Sequence, residues 1–257
     1  MKISVVTVCL NAGRHLHRLL ESVTEQDWDD VEHVIIDGGS ADGTISLIES
    51  YREKREQVIF VSEPDNGISD AMNKGLALAQ GSVVVFLHAD DYFSDQGVLT
   101  AVARIFAQKP QIDWLTGGIN YVDCNERLIR RFEVRKWSYR RLLRGNIIFH
   151  PATFIRRELL LNVDGFDESL RYVMDYDLWL RIGRESAPYL LNRILACYRV
   201  HPECASVKNV DDAFREELRV RYRHLHGRPI QKTLHYIYYL LKRIPNRMIV
   251  RYAHAAR

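Results

Sequence analysis

The sequence predicts an α/β protein whose mainly parallel sheet is flanked by helices, with a helical extension at the C-terminus. Strand-like apolar runs alternate with helical patterns over roughly the first 110 residues, which is typical of βαβ units. These runs are mostly apolar, as in sheets that helices cover on both faces. Polar residues follow the runs, at the strand ends where open α/β sheets bind ligands.

The predicted elements of the first half follow one another in regular order. The β-branched run Ile3–Cys9 predicts the first strand, and apolar residues spaced for a helix follow it over residues 16–23. Further strands are predicted over residues 31–36, 58–61 and 82–87, and further helices over residues 45–51 and 68–78.

The pattern changes after about residue 110. Strands are predicted over residues 113–122, 128–134 and 194–200, and helices over residues 137–144 and 175–185. Two amphipathic helices are predicted over residues 211–226 and 230–243, and Pro245 ends the second. The chain therefore divides into a body of residues 1–210, with halves 1–110 and 111–210, and a tail of residues 211–257.

Composition excludes several classes of protein. With 47% hydrophobic and 27% charged residues among 257, the chain is globular rather than disordered. Its four cysteines form no CxxC pair, which argues against a zinc knuckle or a disulfide framework. The longest apolar runs are too short to span a bilayer, and the N-terminus resembles a strand rather than a signal peptide. We therefore expect a cytoplasmic protein.

Charge is unevenly distributed along the chain. Residues 213–257 hold eleven Lys or Arg and two acids, a net charge of +9, whereas residues 1–212 hold 25 and 31, a net charge of −6. A basic tail predicts an anionic partner or a solvated surface. Nucleic acid is a weak candidate, because the body is acidic and carries no binding motif.

The segment of residues 37–44 (DGGSADGT) lies between a predicted strand and a predicted helix. It is a tight turn in which Ser40 or Asp42 caps the helix, or a ligand loop in which Asp37 accepts a nucleobase N–H. It matches neither GxGxxG nor the P-loop, so neither of those phosphate-binding loops is predicted.

Acidic residues recur at three other element ends. Asp90 and Asp91 follow an apolar strand; they cap a helix, or they share a divalent cation with a diphosphate. Asp70 and Lys74 share one helix face, which is a solvated surface or part of a site. Asp175 lies at the start of another predicted helix, where it caps the helix or acts as a general base.

Together these motifs resemble the family 2 glycosyltransferases, which have the Rossmann-like GT-A fold. The motifs lie in family order within residues 3–206. They are residues 7–11, 36–44, 63–75, 86–91, 150–151, 165–168, 175–181 and 198–201, with Ser206. The resemblance implies inverting transfer from a nucleotide-diphospho-sugar, with a UDP-sugar favoured and Mn²⁺ or Mg²⁺ on the diphosphate. It also implies a saccharide or polyprenyl-linked acceptor in bacterial surface polysaccharide or glycolipid synthesis.

The resemblance also implies roles for individual residues. Asp175 is the expected general base. His88 departs from the family pattern, since it stands where the first acid of a DxD element would be. The residues expected to bind the nucleotide-sugar are Thr7, Asn11, Asp37, Asp70, Lys74 and Asp90; those expected near the metal are Asp91, His201 and His88; and those expected near the acceptor are Trp179 and His150. Trp179 stacks on an acceptor sugar or belongs to the core.

The sequence leaves two other functions as alternatives. It also leaves two alternative positions for the tail. A sugar-nucleotide pyrophosphorylase would need a basic, Gly-rich N-terminal loop, of which residues 10–14 are a poor version. A non-catalytic relative would have no chemical need for Asp37, Asp90, Asp91 and Asp175. The tail packs on the body, or it lies on the anionic inner face of the cell membrane as a peripheral anchor.

Overall fold

The computed structural model describes residues 1–201, 209–225, 229, 232–237 and 239–240. The strands are β1 (Ile3–Cys9), β2 (Val31–Asp37), β3 (Val58–Ser62), β4 (Val83–Phe86), β5 (Tyr92–Phe93), β6 (Trp114–Val122), β7 (Leu128–Phe132), β8 (Thr153–Arg156) and β9 (Tyr189–Arg199). The helices are α1 (Leu16–Thr24), α2 (Thr44–Arg52), α3 (Ile68–Leu78), α4 (Val98–Gln108), α5 (Tyr139–Leu142), α6 (Arg157–Asn162), α7 (Met174–Glu185) and α8 (Val210–His224), with a 3₁₀ turn at His150–Ala152.

The first half of the sheet is parallel, as the alternating pattern predicts. β1 lies between β2 and β4 and pairs with both in parallel, and β2 pairs with β3 in parallel. The register sets Cys9 beside Asp37 and Val6 beside Phe86. The carboxyl ends of β1, β2 and β4 therefore meet at one edge of the sheet.

The second half joins the first through antiparallel strands. The order across the sheet is β3-β2-β1-β4-β8-β6-β9-β5, and β7 pairs with β6. β8 is antiparallel to both β4 and β6, whereas β6 and β9 are parallel. The sequence prediction omitted β5, β8, α4 and α6; β5 and β8 have only two and four residues, too few to show a periodicity.

Alternate residues of β1 supply two separate cores. Ile3 and Val5 pack beneath α1 and α4, while Val6 and Val8 pack on the opposite face beneath α3 and α7. Val220 of α8 belongs to this second core and is fully buried. The α/β class and the covering of the sheet by helices on both faces are therefore confirmed.

Helix α8 packs on the body. Phe214 and Val220 are buried, the Arg221 side chain is 1% exposed, and Arg223 donates to Asp167 at 2.6 Å. Of the two positions left open for the tail, this helix therefore takes the packed one, since Val220 joins the second core of the body. The predicted second helix, 230–243, lies partly outside the described residues; within it, residues 232–237 and 239–240 are helical.

None of the helices in the described part of the chain combines the length and the hydrophobicity that crossing a bilayer requires.

Candidate functional site

The turn after β2 is built around the Asp37 carboxylate. Its oxygens accept the backbone N–H groups of Gly39 at 3.1 Å and Ser40 at 2.9 Å, and the hydroxyls of Ser62 and Ser40. Burial raises the pKa of Asp37, but the hydrogen bonds from Ser40, Ser62 and Gly39 outweigh it and hold the pKa below its usual value. Asp37 is 0% exposed and already accepts several donors. Binding a nucleobase N–H would require one hydroxyl to rotate away.

Asn11 joins the end of β1 to the same turn. Its backbone N–H donates to Ser40 Oγ at 2.7 Å, and its side-chain oxygen accepts the N–H of Ala41 at 2.9 Å. Asn11 has a φ of 51°, a left-handed conformation that Asn adopts more readily than most residues. The exposed Asn11 is thus well placed to line a ligand site beside Asp37.

Thr7 lies inside the sheet. Its hydroxyl donates to Leu87 O at 2.9 Å, so it accepts from His33 Nε2, also at 2.9 Å. His33 Nδ1 must then accept from the Tyr51 hydroxyl at 3.0 Å, and burial lowers the pKa of His33 to about 3. The prediction that Thr7 contacts the nucleobase or ribose is wrong, because its side chain is 0% exposed and fully engaged in this chain of hydrogen bonds.

Asp70 and Lys74 face each other on the first turns of α3, as their spacing predicts. Lys74 Nζ lies 3.5 Å from Asp70 Oδ2 and 2.9 Å from Glu63 Oε1. The N–H of Asn66 and the charge of Lys74 lower the pKa of Asp70. The Lys74 side chain is 29% exposed, which leaves it accessible to an anionic ligand.

Asp90 and His201 form a polar pair beyond the carboxyl end of β4. Asp90 Oδ2 lies 3.1 Å from His201 Nε2, and the Asp90 side chain is 36% exposed. Burial raises the pKa of Asp90, but His201, His15 and His88 outweigh it and hold the pKa below its usual value. Apart from this contact with Asp90, His201 Nε2 has no hydrogen-bond partner among the described residues.

Asp91 points the other way, into the protein. It is 2% exposed, and its Oδ1 accepts the backbone N–H of Arg199 at 3.3 Å. Burial and the neighbouring Asp90 raise the pKa of Asp91 well above its usual value. The prediction that Asp91 is the metal ligand is therefore wrong for this structure: Asp90, not Asp91, lies beside His201.

Arg199 fixes this arrangement and was not singled out from the sequence for such a role. Its guanidinium is 2% exposed and donates to Asp90 O at 3.3 Å, Cys124 O at 3.2 Å and Glu126 Oε1 at 3.1 Å. It thus ties the segment after β4 to the loop between β6 and β7. Only its position within the motif 198–201 hinted at importance.

His88 and His150 stack on each other beside Asp90. Their ring centroids are 4.8 Å apart and the planes differ by 15°. Burial lowers the pKa of His88 to about 4 and that of His150 well below its usual value, so both rings are neutral at pH 7. Neither ring nitrogen of His150 has a hydrogen-bond partner among the described residues. No group of three or more His, Cys, Asp or Glu placed to hold a metal occurs in the described part of the chain.

Asp175 lies in the first turn of α7, as predicted. Its Oδ2 accepts from Asn146 Nδ2 at 3.0 Å, and its Oδ1 accepts the N–H of Tyr176 at 2.6 Å. Burial raises the pKa of Asp175 to about 6, although the hydrogen bonds from Tyr176 and Asn146 lower it. A carboxylate with this pKa suits a general base near neutral pH. Asn146 was missed because nothing in its local sequence distinguishes it.

Trp179 belongs to the core. It is 1% exposed and stacks on Trp114, with centroids 5.9 Å apart and planes 6° apart. The prediction that Trp179 stacks on an acceptor sugar is therefore wrong. Its ring also lies 6.1 Å from that of His150, and His150 stacks on His88. This row of rings connects the neighbourhood of Asp90 with helix α7, one turn from Asp175.

Glu216 of α8 also reaches this helix. Its carboxylate accepts the backbone N–H groups of Arg171, Tyr172 and Val173, immediately before α7, at 2.7–3.2 Å. It therefore anchors the segment that leads to Asp175. The sequence did contain a signal for the importance of Glu216, because Glu216 and Glu217 are the only acids in residues 213–257.

Comparison with known families decides the identity. The profile described as Glycosyl transferase family 2 matches residues 4–161, more than half of the chain. The chain belongs to this family. It is therefore a glycosyltransferase, a transferase that uses nucleotide-sugars, and the resemblance seen in the sequence is confirmed.

Relatives of this family 2 glycosyltransferase agree in sequence and in fold. A PGL/p-HBAD biosynthesis glycosyltransferase of Mycobacterium bovis is 30% identical over 193 residues, covering 75% of this chain and 73% of its own. Staphylococcus aureus TarS 1-349, solved with UDP-GlcNAc, superposes with a TM-score of 0.72 at 20% identity, covering 91% of this chain and 69% of its own. The mannosyltransferase PcManGT of Pyrobaculum calidifontis, solved with GDP-Man and Mn²⁺, gives 0.67 at 20% identity, covering 99% and 73%. The GT-A fold is thus confirmed.

Proposed function

We propose that this enzyme transfers a sugar, with inversion, from a nucleotide-diphospho-sugar to an acceptor hydroxyl, with Asp175 as general base. The observation that carries the proposal is the Asp175 carboxyl, oriented by Asn146 and with its pKa raised to about 6 by burial. In one displacement, the acceptor oxygen bonds to the anomeric carbon as the bond to the diphosphate breaks. Asp175 takes the hydroxyl proton, and the diphosphate leaves with the electron pair.

Asp90 and His201 are the residues that would hold a divalent cation. Their facing atoms are 3.1 Å apart, close to the separation of about 3 Å between adjacent ligands of an octahedral ion at 2.0–2.1 Å. The buried His201 Nε2, which has no partner among the described residues other than Asp90, supports this fit. A bound Mn²⁺ or Mg²⁺ would supply charge neutralisation for the leaving diphosphate. His88, neutral and stacked on His150, would face the donor beside this pair.

The donor would lie along the strand ends. Asn11 would contact the base or ribose, beside the turn that Asp37 shapes and with Asp37 itself a contact only if a hydroxyl rotates away, and the Lys74 ammonium would contact the sugar or diphosphate. We favour a UDP-sugar, because TarS was solved with UDP-GlcNAc; PcManGT, solved with GDP-Man, makes a GDP-sugar the alternative.

The acceptor we propose is a saccharide or a lipid-linked saccharide of bacterial surface polysaccharide or glycolipid synthesis. The mycobacterial relative, named for PGL/p-HBAD biosynthesis, supports such a setting. His150 would lie near this acceptor, since it lies between His88 and the Trp179 ring of helix α7. A lipid-linked acceptor would place the enzyme on the inner face of the cell membrane.

A thermal-shift screen tests the proposal. UDP-, GDP- and dTDP-sugars are each added with and without Mn²⁺, because a ligand that binds only the folded state raises the melting temperature. A Mn²⁺-dependent shift with one class supports the donor site, and NMR of the transfer product should then show an inverted anomeric centre. Retention of configuration would contradict the mechanism. Exchange of labelled pyrophosphate into a nucleoside triphosphate would instead favour a pyrophosphorylase.

A further inference from the structure

A strongly basic surface lies on the body itself. We call residues 127–144 the basic segment; it holds eight Lys or Arg and one acid, a net charge of +7. The rest of residues 1–212 holds 17 Lys or Arg and 30 acids, a net charge of −13. The eight basic residues are all exposed: Arg127, Arg130, Arg131, Arg135, Lys136, Arg140, Arg141 and Arg144. The body is therefore strongly polarised, a feature that its overall charge conceals.

Large aliphatic side chains are exposed within this basic segment. Leu128 is 60% exposed and Ile129 is 45% exposed, on strand β7, which pairs with β6 alone among the described strands. Arg130 lies over the Phe132 ring at 4.8 Å, and the acid Glu133 pairs with Arg131 at 2.7 Å. Two adjacent exposed aliphatic side chains are thus flanked by arginines along one edge of the sheet.

A second apolar group adjoins the end of the basic segment. In the helical residues 232–237 and 239–240, Tyr239 packs on Phe214, with centroids 6.1 Å apart. His235 contacts the backbone of Leu143 and lies near Arg144, so this helical segment adjoins the end of the basic segment; burial and the charges of Arg221 and Arg144 lower the pKa of His235. The large side chains left 44–59% exposed here are Leu234, Tyr236, Ile237 and Leu240.

The basic segment also borders the proposed base. The hydroxyl of Tyr176, the residue after Asp175, donates to Leu142 O at 2.7 Å. Asn146, two residues beyond the basic segment, donates to Asp175 itself. An acceptor delivered along this surface would arrive next to the Asp175 carboxylate.

We propose that the basic segment, together with the exposed side chains of residues 232–237 and 239–240, is a docking surface for an anionic lipid membrane. Positive charge alone would attract any polyanion, but exposed Leu128 and Ile129 gain free energy only where apolar surface is buried, as at a lipid interface. The surface would present a lipid-linked acceptor to Asp175, and in this respect the inference rests on the proposed function. It keeps residues 232–237 and 239–240 of the tail anchor predicted from the sequence, but replaces α8, which packs on the body, with the basic segment.

Vesicle sedimentation of the full chain tests the proposal. The probes are vesicles of phosphatidylglycerol with phosphatidylcholine, and of phosphatidylcholine alone, at low and high salt. Arg130→Glu with Arg131→Glu should weaken partition into anionic vesicles roughly 25-fold or more, at about 5-fold per basic residue lost. Leu128→Ser with Ile129→Ser should weaken it about 10-fold. The matched control is Arg52→Glu with Lys54→Glu, an equal charge change at the end of α2, beside the opposite edge of the sheet, which should have little effect.

The outcomes separate this inference from the proposed function. Wild-type partition of the Arg130/Arg131 variant would overturn the docking surface. If the Leu128/Ile129 variant partitions like wild type and soluble polyphosphate competes fully, the surface binds polyanions and the membrane proposal is wrong. The thermal shift with UDP-sugar is measured on every variant and should not change. Its absence in the wild type would contradict the proposed donor, whatever the vesicles show.

Discussion

Glu216 accepts the backbone N–H of Val173 at 3.0 Å, and so helix α8 holds the start of the helix that carries Asp175. The same carboxylate accepts the N–H of Tyr172 at 2.7 Å and that of Arg171 at 3.1 Å. These donors would otherwise lack partners at a helix N-terminus, where a negative charge is also favourable. Helix α8, at the beginning of the tail, therefore helps to position Asp175. A domain boundary at residue 210 would separate α8 from the helix that it positions.

Replacing this carboxylate should affect turnover more than donor binding. We expect Glu216→Gln to lower kcat about 10-fold or more, because the amide keeps the shape but offers fewer acceptors to three N–H groups, and small displacements of a base are costly. KM for the donor should stay within about 2-fold, since the Glu216 carboxylate is bonded to residues 171–173, none of which is proposed to bind the donor. Steady-state kinetics on the folded fraction measures both.

Arg223→Gln is the matched control for Glu216→Gln. Arg223 also joins α8 to the body, but it does so through an ion pair with Asp167 rather than through residues 171–173. We expect this variant to melt earlier and to keep its kcat. Equal losses of kcat in the two variants would mean that α8 acts only through general stability.

Asp175→Asn should separate catalysis from folding. Losing a general base typically lowers turnover by about 10²-fold or more, while the donor-induced thermal shift should remain. Burial raises the pKa of Asp175 to about 6, above its unfolded value, so the charged carboxylate destabilises the folded state as pH rises from about 4 through 6. At pH 7.5 the Asn variant should therefore melt at or above the wild-type temperature. A large fall in melting temperature would show that the ionised Asp175 stabilises the fold.

The same pKa predicts the pH dependence of the reaction. Below pH 6 the Asp175 carboxyl is protonated, so kcat/KM should fall about tenfold for each pH unit on the acidic side. Burial is the main cause of the raised pKa, and the charge of Glu217 adds to it. A profile of kcat/KM between pH 4.5 and 8 checks this, with intact folding confirmed by circular dichroism at each pH. A profile that stays flat down to pH 5 would exclude Asp175 as the titrating base.

Strong local patterns made much of the fold predictable. The bounds of β1 and α3 agree with prediction, because a continuous β-branched run and a regular helical spacing each dominate their segments. The two-residue β5 and the four-residue β8 exist through pairing with β9, β4 and β6, which are distant in the chain. Sequence alone carries no signal of that pairing.

The direction in which neighbouring side chains point was not predictable. Asp90 and Asp91 are neighbouring residues of the same type, yet Asp90 lies beside His201 whereas Asp91 faces β9. Thr7 lies in a motif of the family, yet the hydrogen bond to Leu87 O holds its hydroxyl inside the sheet. Which face a residue occupies depends on strand register and on partners such as Arg199, both set by tertiary packing.

Gly75 should be required for the close packing of α3 against β1. A Cβ at this position would lie 2.4 Å from Val6 Cγ1 on β1, so Gly75→Ala forces the helix that carries Asp70 and Lys74 away from the sheet. Overpacking of this kind typically costs about 1–3 kcal/mol, which urea unfolding would measure. The control is Gly43→Ala, where a Cβ would meet nothing within 4 Å. Equal stability of the two variants would show that α3 adjusts freely.

The paired aspartates give the sharpest test of the cation site. Asp90→Asn should abolish the Mn²⁺-dependent part of the UDP-sugar thermal shift, because it removes the exposed carboxylate that lies 3.1 Å from His201. His201→Gln should weaken it in the same direction. Asp91→Asn should keep the metal dependence, since Asp91 is 2% exposed and an amide oxygen can still accept the Arg199 N–H. Asp95→Asn, at an exposed aspartate paired with Arg193, is the neutral control for loss of charge. If Asp91→Asn removes the metal dependence while Asp90→Asn keeps it, the cation lies on the buried carboxylate and the assignment to Asp90 is wrong.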